Sequence, residues 1–248
     1  MKLIKLDAID STNDFLKSLA SQDELDNFTV VTAENQTKGK GQMGSKWQSE
    51  SGKNLIMSVL VKEFLYDNEQ VFNLSVIVSL AVIDALKSLN IPDLCIKWPN
   101  DIMSYNKKVG GILIENTIKS DGRIVSVIGI GLNVNQTNFD HLPNASSLAV
   151  ICKTEFDKNA LVLLIAEKLQ HKIKIWETTS LDLWKEYFNS LFRQGVPMPF
   201  KKLNTKNPEQ NFMGIIQGVS SVGKIQILLE DDSVSEFEIK EIQMLYYF

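Results

Sequence analysis

A glycine- and lysine-rich stretch, Thr32–Trp47, decides early which folds this chain can adopt. It reads TAENQTKGKGQMGSKW, with Gly39, Gly41 and Gly44 inside six residues and Lys38 and Lys40 among them. Glycine reaches positive φ and lets another group approach the backbone closely. Exposed amides in such a loop form an anion-binding concavity, and lysines add charge to it. The plain alternative is a surface turn, but a turn needs neither three glycines nor two lysines and a tryptophan. The stretch also fits G-x-G-x-x-G, a dinucleotide fingerprint that requires a strand before it and a helix opening at its end. Phe28–Ala33, FTVVTA, supplies the strand, but the loop leads into the turn SESGKN and then LIMSVLV, a second strand. With no helix N-terminus to receive a pyrophosphate, a NAD-dependent oxidoreductase is reduced to a minor alternative.

At 248 residues the chain suits one large domain, or one plus a small one. A hydrophobic content of 44% is ample for a core, and the net charge of −4 argues against nucleic acid as a partner. Cys95 and Cys152 are far apart and fit neither a disulfide framework nor zinc spacing, so they read as buried thiols. The N-terminus, MKLIKLDAIDSTND, has no apolar signal core. The longest nearly apolar run, Leu74–Ile83, is too short to span a bilayer. The expectation is a soluble cytoplasmic protein that binds no membrane.

Along the chain, Ser11 and Asp14 fit a capping box before FLKSLA, which starts a helix. Gln70–Leu89 reads as a buried helix and Leu94–Trp98 as a short strand stopped by Pro99, with a turn at Asn100-Asp101. Lys107-Lys108 leads into the strand VGGILIEN, an Asp-Gly hairpin turn at 119–122, and a returning strand over 123–133. Gly129 and Gly131 alternate on that strand, a pattern that marks close approach of a ligand or another backbone. Two helices come next, capped by Asp157 and Ser180. Gly195-Val196-Pro197 is the best domain boundary. Beyond it come four short strands, FMGIIQGV, KIQILLE, SVSEFEI and QMLYYF. This tail reads as a small barrel of marginal independent stability that should pack on the main domain. From Val196 onward seven acids face five lysines, a balance that disfavours an RNA-binding barrel.

Four patches share one character. Ser11-Thr12-Asn13 offers short polar groups; Gln36 to Trp47 offers amides, Lys40 and an aromatic plane. Lys97 to Lys108 offers cations and Asn100-Asp101, and Gly129 to Asn133 a bare backbone and an amide. Together they describe a pocket for a small neutral group joined to phosphates. The two histidines, His141 and His171, read as structural, so no nucleophilic triad is in view, and no cluster shows metal-ligand spacing.

DSTND, KGKGQMGSKW, KWPNDIM, KKVGGILIE and GIGLNVN, in this order, resemble the biotin–protein ligases, and the resemblance covers nearly the whole chain. It implies an α/β (α+β) fold of the class II aminoacyl-tRNA synthetase-like type, a mixed sheet flanked by helices over residues 1–195, with a small SH3-like barrel over 196–248. It implies ATP-dependent conversion of biotin to biotinyl-AMP and transfer to a lysine of a biotin carboxyl carrier protein, with magnesium accompanying the triphosphate. Bifunctional members carry an N-terminal DNA-binding winged helix. In this chain the DST motif begins at residue 10, so a ligase without repressor function is expected.

Carried over by motif, Ser11, Thr12, Asn13 and Gln36 hold biotin's polar ring, and Gly39, Lys40, Gly41 and Gln42 form the loop that closes over the adenylate. Lys108 touches the biotinyl carboxylate and α-phosphate, with Lys40 as the second catalytic cation. Gly111, Gly129 and Gly131 give backbone contacts. Trp47, Asn100, Asp101 and Asn133 lie on the ATP side with Gln42, and Asp101 is the candidate magnesium ligand. Many members read G-R-G-R-x-G-R where this chain has Lys40, Gln42 and Ser45, and lysine does not reproduce arginine's bidentate fork. A lipoate or octanoate ligase or transferase of the same fold is the nearest rival, and a non-enzymatic binding module a more distant one.

Overall fold

A computed structural model describes residues 1–65, 71–203 and 211–246. The chain runs β1 (Leu3–Ile9), α1 (Thr12–Gln22), β2 (Val30–Gln36), β3 (Leu55–Lys62), α2 (Val71–Ser88), β4 (Leu94–Lys97), β5 (Asp101–Ser104), β6 (Lys107–Ile118), β7 (Ile124–Leu132), α3 (Leu148–Cys152) and α4 (Lys158–Asn189). Seven strands form one mixed sheet in the order β1-β2-β3-β7-β6-β5-β4, in which β1 and β2 run parallel and every other pair antiparallel.

The sheet is covered on both faces because its central strands are apolar on both sides. Val30, Val59 and Ile128 face the main core beneath α2 and α4; their neighbours Val31, Leu60 and Val127 face a smaller core beneath α1. Such a strand reads as a continuous apolar run rather than an alternating one, as LIMSVLV does. Helix α2 is long and apolar enough to cross a membrane, yet twelve of its eighteen residues are buried in this core. Gln70, which opens the sequence-predicted helix, lies outside the described residues.

A second sheet comes after α4, with β8 (Pro197–Lys202), β9 (Asn211–Val219), β10 (Ile225–Leu228), β11 (Val234–Phe237) and β12 (Ile242–Met244) in the antiparallel order β11-β10-β9-β8-β12. It packs on the first: Phe200, Ile216, Ile227 and Met244 join the main core, and Trp98 Nε1 donates to the Gly223 carbonyl at 2.9 Å.

Four elements have no clear signal in the sequence: β1, β5, α3 and β8. The expected turn at Asn100-Asp101 is shorter than the sequence suggests, because Asp101 already pairs with Gly111 as the first residue of β5. Pairing of β2 starts at Val30, two residues later than expected, since Phe28 takes φ +62°. The two helices expected after Asp157 are one, 32 residues long. Thr178 and Thr179 turn their hydroxyls back onto the Ile175 carbonyl, so these residues do not interrupt the helix. Lys172 bridges Asp84 at 2.8 Å and Glu186 at 3.3 Å, tying the second half of α4 to its first half and to α2.

Asp157 caps α4 by accepting from the amides of Asn159 and Ala160, whereas Ser180 sits mid-helix. Asp157→Ala is therefore expected to cost about 1 kcal/mol in urea unfolding. Ser180→Ala is expected to be neutral or to stabilise by a few tenths of a kcal/mol. A loss of about 1 kcal/mol at Ser180 would place a helix start there after all.

Candidate functional site

A cavity of about 390 Å³ opens between the first sheet, the glycine-rich loop and the second sheet. Its polar end is built where α1 starts. Ser11 caps the helix, its Oγ accepting from the Asp14 amide at 3.3 Å. Thr12 donates from both its amide and its hydroxyl to Gln36 Oε1, at 2.7 and 3.0 Å. Ser58, on β3, contacts Thr12 Oγ1 at 2.8 Å and Asn13 Oδ1 at 2.6 Å. Two hydroxyl hydrogens thus serve three oxygen–oxygen contacts, which leaves the Thr12–Ser58 cluster one hydrogen short and suited to accept from an incoming donor. Asn13 Nδ2 donates to Glu115 Oε2 at 2.8 Å, and Lys17 Nζ holds the other Glu115 oxygen at 2.6 Å.

The floor is bare backbone. A Cβ at Gly129 would stand 2.5 Å from Asn13 Oδ1, and one at Gly131 would stand 2.6 Å from the Trp47 ring. The Trp47 indole rests on this strip and reaches Gly111 as well. Its Nε1 is buried with no hydrogen-bond partner, a donor without an acceptor. The close approach expected of these glycines is present, made by Asn13 and Trp47.

The loop is a small hairpin in which Lys40 bridges Lys46, and the Gly41 amide donates to the Ser45 carbonyl at 2.8 Å. Gly39 lies off the cavity. A side chain there would run into the Trp47 carbonyl, so its role is in the hairpin. Met43 takes φ +52° at the tip, where its carbonyl accepts from Lys240 Nζ at 2.5 Å, joining the loop to the second sheet.

Lys108 Nζ pairs with Asp101 Oδ1 at 2.5 Å and lies 5.9 Å from the Trp47 ring; Lys97 takes Asp101 Oδ2 at 3.2 Å. Asn100 lines the cavity, but its amide is engaged with the Ile112 carbonyl at 2.6 Å. Asn133 does not line it. Its Nδ2 donates to the Ser146 carbonyl, which fixes the segment that pairs with Lys108 through Asn144 and Ser146. Lys38 also points away, to Asp10 at 2.8 Å. Of the sequence-predicted residues, Ser11, Thr12, Asn13, Gln36, Lys40, Gly41, Gln42, Trp47, Asn100, Asp101, Lys108, Gly111, Gly129 and Gly131 come together around the cavity, and Gly39 and Asn133 do not.

Sequence reasoning missed Ser58, Glu115, Lys97 as a partner of Asp101, and Lys240. The first two sit inside apolar strand runs and Lys240 in an acidic tail, so nothing local marks them. Among the described residues, five lysines, Lys40, Lys46, Lys97, Lys108 and Lys240, border the cavity against one carboxylate, that of Asp101, in a chain whose net charge is −4. The arrangement fits a ligand with a neutral polar head and an anionic tail. Among the described residues no three His, Cys, Asp or Glu side chains form a metal cluster. Asp101 lies at the cavity with one carboxylate oxygen taken by Lys97 and the other by Lys108.

Fold and cavity together define an α/β domain with a lysine-rimmed cleft. Residues 6–135 match the Biotin/lipoate A/B protein ligase family, and the chain belongs to that family of ligases. It is 28% identical over 235 residues to the bifunctional ligase/repressor BirA of Salmonella typhimurium, covering 92% of this chain and 69% of that protein. It is 32% identical over 181 residues to the biotin–[acetyl-CoA-carboxylase] ligase of Mycobacterium tuberculosis, covering 71% and 66% respectively. The biotin protein ligase from Aquifex aeolicus, solved with biotin and ATP, superposes with a TM-score of 0.78 at 26% identity over 98% of both chains. The dinucleotide reading of the glycine loop is set aside, since the loop joins two antiparallel strands and no helix opens at its end.

A methyl at position 129 would force the Asn13 amide to turn and break its bond to Ser58 or to Glu115. Gly129→Ala is expected to destabilise by about 1–3 kcal/mol. At Gly111 the nearest atoms to an added Cβ are the flexible end of Lys108, at 3.5 Å, so Gly111→Ala should unfold at nearly the wild-type urea concentration. A Gly129→Ala protein as stable as wild type would show that Asn13 yields freely.

Proposed function

We propose that this chain activates biotin with ATP to biotinyl-5′-AMP and transfers the biotinyl group to a lysine of a biotin carboxyl carrier protein. The observation that carries this reading is the cavity itself, neutral and hydrogen-bonding at the Thr12–Ser58–Gln36 end and lined by lysines toward its mouth. The Aquifex aeolicus structure that shares the fold was solved with biotin and ATP. A lipoate or octanoate ligase fits the same family, but the Salmonella typhimurium, Mycobacterium tuberculosis and Aquifex aeolicus relatives do not favour it, the latter two being named biotin ligases.

In the first step a carboxylate oxygen of biotin attacks the α-phosphorus, the bond from that phosphorus to the bridging oxygen breaks, and pyrophosphate leaves. Two anions must approach, and at ~4 Å with an effective dielectric of 20 their repulsion is about 4 kcal/mol. Lys108 is placed to offset it. Asp101 fixes its ammonium beside the glycine floor, and a preorganised cation costs no reorganisation when charge builds up. In the second step the neutral carrier amine attacks the acyl carbon, AMP leaves, and the amine gives up its proton. Gln42 and Lys40 line the cavity from the loop, on the side assigned to the adenylate. Magnesium accompanies the triphosphate, which neutralises charge with few protein ligands. The catalytic unit is assigned to residues 1–195 and the barrel to 196–248, the latter roofing the cavity through Ile239, Lys240, Gln243 and Tyr246.

Biotin-dependent exchange of pyrophosphate into ATP, run beside lipoate, tests the reading; exchange driven by lipoate alone would overturn it. Lys108→Ala is expected to fold normally and to form biotinyl-AMP about 10²–10³ times more slowly in a single turnover. A rate within a few-fold of wild type would remove Lys108 from that role.

Gln42 has no charge, and charge-assisted hydrogen bonds are roughly twice as strong as neutral ones. Gln42→Arg is therefore expected to slow escape of preformed biotinyl-AMP, and Lys40→Ala to speed it, mainly through the dissociation rate. Equal release from all three proteins would mean that backbone amides and Trp47 hold the adenylate alone.

A further inference from the structure

The capping-box pattern Ser11-x-x-Asp14 is only half used. Ser11 caps the helix, but the Asp14 carboxylate faces the glycine-rich loop, where Lys40 Nζ meets Asp14 Oδ2 at 2.5 Å. Asp14 Oδ1 is held at 2.9 Å by Lys17, which also holds Glu115 at 2.6 Å. Glu115 in turn bonds Asn13 at the polar end of the cavity. Charges alternate along this ladder, from Glu115 through Lys17 and Asp14 to Lys40. Lys40 alone of the four borders the cavity, and it stands on the loop.

We propose that Asp14 is a positioning residue for the loop, which holds Lys40 at the cavity rim in the empty protein and competes for that lysine with an anionic ligand, so setting how long an acyl adenylate is retained. The retention part rests on the biotin-ligase activity proposed above. Three features support the exchange. The pair is half-exposed, 45% at Lys40 and 42% at Asp14, so it is held loosely. Lys17 stays on Asp14 when Lys40 leaves, so the carboxylate is never without a cation. The loop keeps its base meanwhile, because Lys38 is tied to Asp10 and its amide donates to the Asp10 carbonyl at 2.9 Å. Burial works to raise the Asp14 pKa, but the bonds from Lys40 and Lys17 outweigh it and hold the carboxyl below its ordinary value, charged at neutral pH.

The test is Asp14→Asn, made in the wild-type chain and in a Lys40→Met chain. In the wild-type chain, release of preformed biotinyl-AMP should slow about two- to fivefold, the size expected when one partner of an exposed ion pair is removed. In the Lys40→Met chain the same substitution should leave release unchanged. Equal release in the first pair, or the same change in both, overturns the proposal, since a helix-cap role would act whether or not Lys40 is present. The latch is also read without ligand, by the rate at which trypsin cleaves after Lys46. Asp14→Asn should speed that cleavage severalfold in the wild-type chain and leave it unchanged in the Lys40→Met chain. Unchanged cleavage in the wild-type chain overturns the latch whatever the ligand. Faster cleavage in a protein that makes no adenylate from biotin would keep the latch and overturn the reading of the site.

Discussion

Like charges crowded around one small cavity repel, and three of the five lysines at its rim, Lys40, Lys97 and Lys108, are offset by carboxylates on which the site depends. Lys97 and Lys108 approach each other through Asp101, whose two oxygens take one ammonium each. The pairing also fixes backbone. Asp101 opens β5 and pairs with Gly111 of β6, so the charge that holds Lys108 stands at the strand position that leaves the floor bare. Paired cations of this kind cost little to assemble in the folded chain, and they remain available to an anion that offers a better partner.

The floor and the polar end are solutions to a different constraint. Buried hydroxyls and amides must be hydrogen-bonded, and Thr12, Asn13 and Ser58 are all buried. They meet this by bonding to one another, to Gln36 and to Glu115, within the space that Gly129 leaves open. A ligand with matching donors and acceptors enters a network whose geometry is already set by α1, β3 and β6. This preorganisation lowers the cost of ordering side chains on binding.

Much of this was legible in the sequence because the relevant signals are local. Glycine spacing marked the floor, Ser11 marked the helix start, and a strand in place of a helix after the loop reduced a dinucleotide site to a minor alternative. What escaped depends on contacts between distant segments. Ser58 and Glu115 look like ordinary members of strands until α1 is laid across them. Lys240 lies 197 residues from Met43, whose carbonyl it meets. The single α4 escaped for another reason: the Thr-Thr-Ser run resembles a cap, and only hydroxyls turned back onto Ile175 show that the helix passes through it.

The second sheet has a place in this logic beyond covering apolar surface. The loop carries three residues, Lys38, Lys40 and Met43, whose contacts lie on different bodies: the Asp10 turn, the first turn of α1, and the second sheet. A loop held at three points by one or two bonds each is ordered without being buried, since Met43 is 60% exposed. Each bond is weak enough to break alone, and local opening of such segments draws on a small free energy. The loop can therefore be defined when the cavity is empty and still give way to admit a ligand. A deeply packed segment could not give way so readily, and an untethered one would not be ordered.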